Sequence, residues 1–135
     1  MPWIILGITV SYFIGSVPTA YIFGRLLKGI DIRKFGSGNV GATNAFRVLG
    51  RGPGISVLIL DIFKGFFAIA FLSNFIASRA AGISKEWLGI ILGLSCIAGH
   101  NWTIFLKFKG GKGVATTFGV LFGLAASSAD RKSVV

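Results

Sequence analysis

Acidic residues are scarce: the 135-residue chain has 4 Asp and Glu against 14 Lys and Arg, a formal net charge of +10. Charge of either sign is thin, at 13% of residues, where a water-soluble domain carries about 25%. One histidine and four scattered acids exclude a metal site built from several protein ligands. The lone cysteine, Cys96, excludes an intrachain disulfide and reads as a small buried hydrophobe within its apolar run. No basic segment precedes the first apolar run, and Arg25 and Lys28 follow it, so a retained first helix is expected rather than a cleaved signal.

What the chain has is apolar length. Hydrophobic residues make up 53%, with 20 glycines and 13 phenylalanines. The expected class is all-α, a polytopic integral membrane protein forming one transmembrane domain over 1–135, with spans near 3–24, 53–75, 87–106 and 114–129. Pro18 is a kink site, and Gly7, Gly15 and Gly24 are sites of close helix packing. The loops 25–51 and 107–112 hold nine Lys and Arg (six plus three), against two in the 76–86 link. Those basic loops therefore face the cytoplasm and the amino terminus lies outside. Basic residues sit in short blocks between apolar runs rather than along one solvated face, which disfavours nucleic acid and favours lipid headgroups and phosphorylated small molecules.

Two polar, glycine-rich runs interrupt the apolar pattern: GSGNVGATNAFRVLG from Gly36 to Gly50, and GHNWTIFLKFKGGKGVATT from Gly99 to Thr117. The first matches GxGxxG at Gly36, Gly38 and Gly41, but lacks the strand before it and the helical context of a dinucleotide fold. The second resembles a phosphate loop, yet Gly113 follows Lys112 where Ser or Thr is required, and position 106 is not glycine. Backbone N–H groups beside Lys112, with Thr116 and Thr117 at a helix start, still suit a phosphate-like anion. Ser37 lacks the elbow and partners of an acyl-enzyme nucleophile. Asp61 and Lys64, three apart on one helical face, are either a functional pair at membrane depth or an anchor between helices.

The run SGNVGATNAFRVLG, the DIFKG segment Asp61–Gly65 and GHNWTIFLKFKGGKGVATTFG together resemble the bacterial acyl-phosphate-dependent glycerol-3-phosphate acyltransferase family, from the first span through about Gly123. That resemblance implies a multi-pass enzyme of the bacterial inner membrane. It would transfer an acyl group from acyl phosphate to the 1-hydroxyl of glycerol 3-phosphate, releasing 1-acylglycerol 3-phosphate and phosphate, without a cofactor. Ser37, Arg47, Lys112 and His100 are implied as catalytic, the first three holding phosphorylated substrates. Gly38, Asn39, Gly41, Thr43, Asn44, Asn101, Gly110, Gly111, Gly113 and Thr116 are implied as substrate-binding. The proton acceptor is a substrate phosphate oxygen or His100. Thr103 stands where the family has proline, a change expected to loosen that turn. The family has seven spans and a third motif with histidine and asparagine beyond this stretch, so the ending SSADRKSVV reads as a truncation.

Two other readings compete with active acyl transfer: a non-catalytic anion-transport element, and a structural membrane subunit packing through its small-residue faces. A truncated, inactive enzyme is a third. Polar motifs gathered on one side favour a surface-facing active site over a path across the bilayer.

Overall fold

The structure, a computed structural model, describes the backbone of residues 1–134 and side chains as far as Ser128. The described residues are helical or in turns and loops, with no strand. Helix α1 (Pro2–Ser16) breaks at Val17 and Pro18 and resumes as α2 (Thr19–Lys28). Proline lacks the N–H that would continue the ladder, so the kink expected at Pro18 is a full break. After a 3₁₀ turn at Ile32–Lys34, the loop that follows leads into the short helix α3 (Ala42–Leu49). Helix α4 (Arg51–Phe67) passes through a π-helical turn (Ala68–Leu72) into α5 (Ser73–Ala77).

Helix α6 (Lys85–Asn101) is capped by Ser84, whose hydroxyl accepts from the Trp87 N–H at 3.3 Å. It stops short of the sequence-expected end at 106, and a 3₁₀ turn at Ile104–Leu106 follows. Helix α7 spans Val114–Val134. Among the described residues, three stretches are long and apolar enough to cross a membrane: Pro2–Lys28, Arg51–Ala77 and Lys85–Leu106. The apolar part of α7, Val114–Ser128, is shorter. The side chains of the charged ending, from Ala129 onward, lie outside the described residues.

Alongside an apolar core, the chain buries polar groups and exposes large apolar ones. Ser11, Asp61 and Thr116 are at most 1% exposed, while Phe63, Phe71 and Leu94 are 51%, 56% and 62% exposed. Large apolar surfaces suit lipid, and polar groups at that depth need partners inside the protein. The α1–α6 seam shows such pairing. Ser11 donates to the Leu92 carbonyl at 2.5 Å, Ser95 to the Ile8 carbonyl at 2.7 Å and Tyr12 to the Trp102 carbonyl at 2.6 Å. Small residues let the backbones meet: a Cβ on Gly99 would overlap the Tyr12 carbonyl, and one on Gly119 would overlap the Ile62 carbonyl between α4 and α7.

Thr103 is tied into its turn by its hydroxyl. Its hydroxyl donates to the Ser16 carbonyl at 2.6 Å and accepts from the Phe105 N–H at 3.3 Å. The loop entering the first motif is braced by Asp31, which accepts from Arg33 Nε at 2.9 Å, Nη2 at 2.7 Å and the Arg33 N–H at 3.0 Å. The Arg33 side chain beside it holds the Asp31 carboxyl down at about 2 instead of 3.8.

Two outcomes follow for stability. Gly99→Leu should lower the unfolding temperature in detergent, by the equivalent of about 1–3 kcal/mol, because a side chain cannot enter that seam without parting α1 from α6. For Asp31, the folded carboxyl titrates lower than the unfolded one, so its contribution is present above pH 3.8 and disappears as pH falls toward about 2. Asp31→Asn should therefore remove part of the acid destabilisation over that window when thermal melts of the two proteins are compared.

Candidate active site

The two glycine-rich runs meet at the carboxyl end of α6. Thr103 to Gly113 turns back through Lys107 and Phe108, both left-handed at φ 56° and 65°. This unusual backbone for non-glycine residues reverses the chain within a few residues. The Gly110 N–H then donates to the Asn101 carbonyl at 2.9 Å and the Gly111 N–H to the His100 carbonyl at 3.1 Å. Those helix-end carbonyls would otherwise lack partners, so the same bonds finish α6 and fix the loop. Gly111 lies so close to His100 Nε2 and the Val40 carbonyl that a Cβ would approach them to 2.5 and 2.6 Å. Glycine there lets the second motif press on the first.

The first motif is organised by Asn44, which is 1% exposed. Its Nδ2 donates to the carbonyls of Phe35 at 3.1 Å and Asn39 at 3.0 Å, and its Oδ1 accepts from the Ser37 N–H at 3.0 Å. Ser37 in turn accepts from the Asn39 N–H at 3.3 Å. One buried amide thus sets the loop that carries Ser37.

Between the motifs lies a cavity of about 350 Å³. Of the residues expected from the sequence, Ser37, Asn39, Gly41, Thr43, Arg47, His100, Lys112 and Gly113 line it. Gly38, Asn44, Asn101, Gly110, Gly111 and Thr116 do not form its wall. Asn44, Gly110 and Gly111 hold the loops instead, while Asn101 Oδ1 and Thr116 Oγ1 are buried without a hydrogen-bond partner among the described residues. Asp61, Leu58 and Phe118 also line the cavity and were absent from the expected site list. For Asp61 a signal existed, an acid inside an apolar span; nothing local marks Leu58 or Phe118.

Among the lining residues the cations Arg47 and Lys112 are exposed, whereas Asp61 and His100 are buried. Several other cations are used structurally. Lys28 donates to the Val48 carbonyl at 2.9 Å, and Arg25 and Arg33 lie over the Tyr21 ring at 5.4 and 5.1 Å. On the far side of Lys64, Ile14, Val17, Phe23, Leu60, Phe63 and Phe67 help form an apolar groove of about 420 Å³. The Asp61–Lys64 pair joins the two spaces, Asp61 lining the polar cavity and Lys64 the apolar groove.

A family model described as glycerol-3-phosphate acyltransferase matches residues 5–129. The chain belongs to the glycerol-3-phosphate acyltransferase family. Among its relatives, the glycerol-3-phosphate acyltransferase of Chlorobium phaeobacteroides (strain BS1) is 54% identical over 126 residues, covering 90% of this chain and 54% of that one. That of Gloeobacter violaceus is 48% identical over 126 residues, covering 92% and 60%. The crystal structure of PlsY (YgiH), an integral membrane glycerol 3-phosphate acyltransferase, in its glycerol 3-phosphate form superposes with a TM-score of 0.77 at 39% identity, over 98% of this chain and 62% of that one. Its lysophosphatidic acid form gives 0.74 over the same shares. The chain thus spans little more than half the length of these glycerol-3-phosphate acyltransferases. It is a multi-pass membrane protein, as its three long apolar stretches and these relatives agree.

Asn44→Ala should disorder the first motif without touching the cavity wall. Leaving the Ile32, Phe35 and Asn39 carbonyls without their shared donor is worth about 1–3 kcal/mol. Faster hydrogen exchange at the Ser37 amide, compared with the unaltered protein, is the measurement.

Proposed function

We propose that the chain carries the acyl-transfer site of a glycerol-3-phosphate acyltransferase of the bacterial inner membrane, using acyl phosphate as donor and giving 1-acylglycerol 3-phosphate and phosphate. The observation that carries this reading is the meeting of Arg47 and Lys112, from motifs far apart in sequence, on one cavity with Ser37 in a chain of this family.

The chemistry asks little of the protein beyond placement and charge. Acyl phosphate is already activated: the acceptor hydroxyl oxygen forms the new ester bond to the acyl carbon, and the carbon–oxygen bond to phosphate breaks. Arg47 offers a planar fork to phosphate and Lys112 a compact cation, so each stabilises charge that moves onto the leaving group. Holding both substrates in one cavity makes the attack effectively intramolecular. The hydroxyl proton passes to a phosphate oxygen of the bound substrates. His100, in the cavity wall, is the rival acceptor. The apolar groove beside Lys64 supports a long-chain donor whose head reaches the polar cavity while its tail stays in a lipid-like setting.

Purified protein in detergent should release phosphate from palmitoyl phosphate only when glycerol 3-phosphate is present. Arg47→Ala or Lys112→Ala should lower kcat/KM by about 10²-fold or more, as loss of a charge-stabilising donor does. Equal turnover in both variants and the parent would remove these residues from the phosphate clamp.

A further inference from the structure

Once Arg47 and Lys112 are given to phosphate, the buried pair Asp61 and Lys64 is left over. The two are 1% and 6% exposed, in the carboxyl-terminal half of α4. Stability alone is a poor reason to keep such a pair, because apolar residues of similar volume often serve as well or better. Lys64 is held from two sides: its Nζ lies 3.1 Å from Asp61 Oδ1 and donates to the Val17 carbonyl at 3.0 Å, at the break between α1 and α2. Asp61 is not. Its Oδ1 faces the Lys64 ammonium, while its Oδ2 has no hydrogen-bond partner among the described residues. The same residue lines the cavity that holds Arg47 and Lys112.

The cavity lining therefore combines exposed cations with a buried carboxylate that keeps one oxygen without a hydrogen bond. A ligand that satisfies both carries an anion at one end and a hydroxyl donor at the other. We propose that Asp61 recognises a hydroxyl of the phosphorylated polyol substrate by accepting its hydrogen bond, with Lys64 as the positioning residue that neutralises and aims the carboxylate. This rests on the reading of the site as one that takes glycerol 3-phosphate. A hydrogen bond to an ionised acceptor is among the stronger ones, and its loss leaves the hydroxyl unpaired. Lys64 also explains how a carboxylate can share a cavity with phosphate: paired, it adds no net charge, whereas alone it would repel the anion.

The test is calorimetric binding to the full chain in detergent of glycerol 3-phosphate and of propyl phosphate, which keeps the phosphate monoester and lacks both hydroxyls. The parent should prefer glycerol 3-phosphate by about tenfold or more. The double variant Asp61→Leu/Lys64→Met replaces the pair with apolar volume; it should bind propyl phosphate within about twofold of the parent and lose the preference. A double variant that keeps the parent's preference overturns the assignment, as does a parent that binds both ligands equally. Should the double variant fail to fold, Asp61→Asn keeps the shape and weakens the acceptor; its preference should shrink at least about threefold, and an unchanged preference overturns the proposal. Hydroxyl preference lost on mutation, in a protein that transfers no acyl group from palmitoyl phosphate, would uphold Asp61 and refute the acyltransferase reading. Acyl transfer without any preference would do the reverse.

Discussion

The carboxyl end of α6 is where the rest of the structure converges. Its last carbonyls, on His100 and Asn101, accept the N–H groups of Gly111 and Gly110, and that exchange turns a helix terminus into the support of a loop. In a membrane-embedded chain the unpaired alternative is costly, since no water reaches the interior to take the place of the missing donor. Lys112, next in the chain after Gly111, lines the same cavity as Arg47.

The helices that frame this junction pack by the same rule. Between α1 and α6, Ser11, Ser95, Tyr12 and Thr103 each donate to a carbonyl of the facing or following segment. Glycine at position 99 brings the two backbones close enough for those short side chains to reach. Between α4 and α7, Gly119 plays the matching part, and it sets α7, whose amino end carries Val114 and Ala115, against the α4 face that carries Asp61. Van der Waals contact and hydrogen bonds supply the cohesion here, because lipid tails compete for apolar surface as well as another helix does.

The division of labour among polar residues is also set by position. Asn44 and Asn39 belong to the same motif, yet one is spent on loop carbonyls and the other faces the cavity. Arg25, Lys28 and Arg33 brace an aromatic ring or helix end, whereas Arg47 and Lys112 are presented to the cavity. Net charge alone, at +10, marks a preference for anions without telling these two groups apart.

By itself the sequence determined the class of the molecule and the family it resembles. Uncharged runs of span length, Pro18 inside the first of them and basic blocks beside them are local signals, and each depends on residues only a helix or a turn apart. It also marked most of the cavity-lining residues of the two motifs, because their composition departs so sharply from the apolar background. Only the tertiary structure decided which of them face one space. Asn44, Gly110 and Gly111 hold loops, Thr103 bonds across to the end of α1, and Asp61, Leu58 and Phe118 enter the wall from other helices. The reason is physical: whether a polar side chain meets a neighbouring carbonyl or a cavity depends on how closely two backbones approach, a distance set by contacts between residues as far apart as Tyr12 and Gly99.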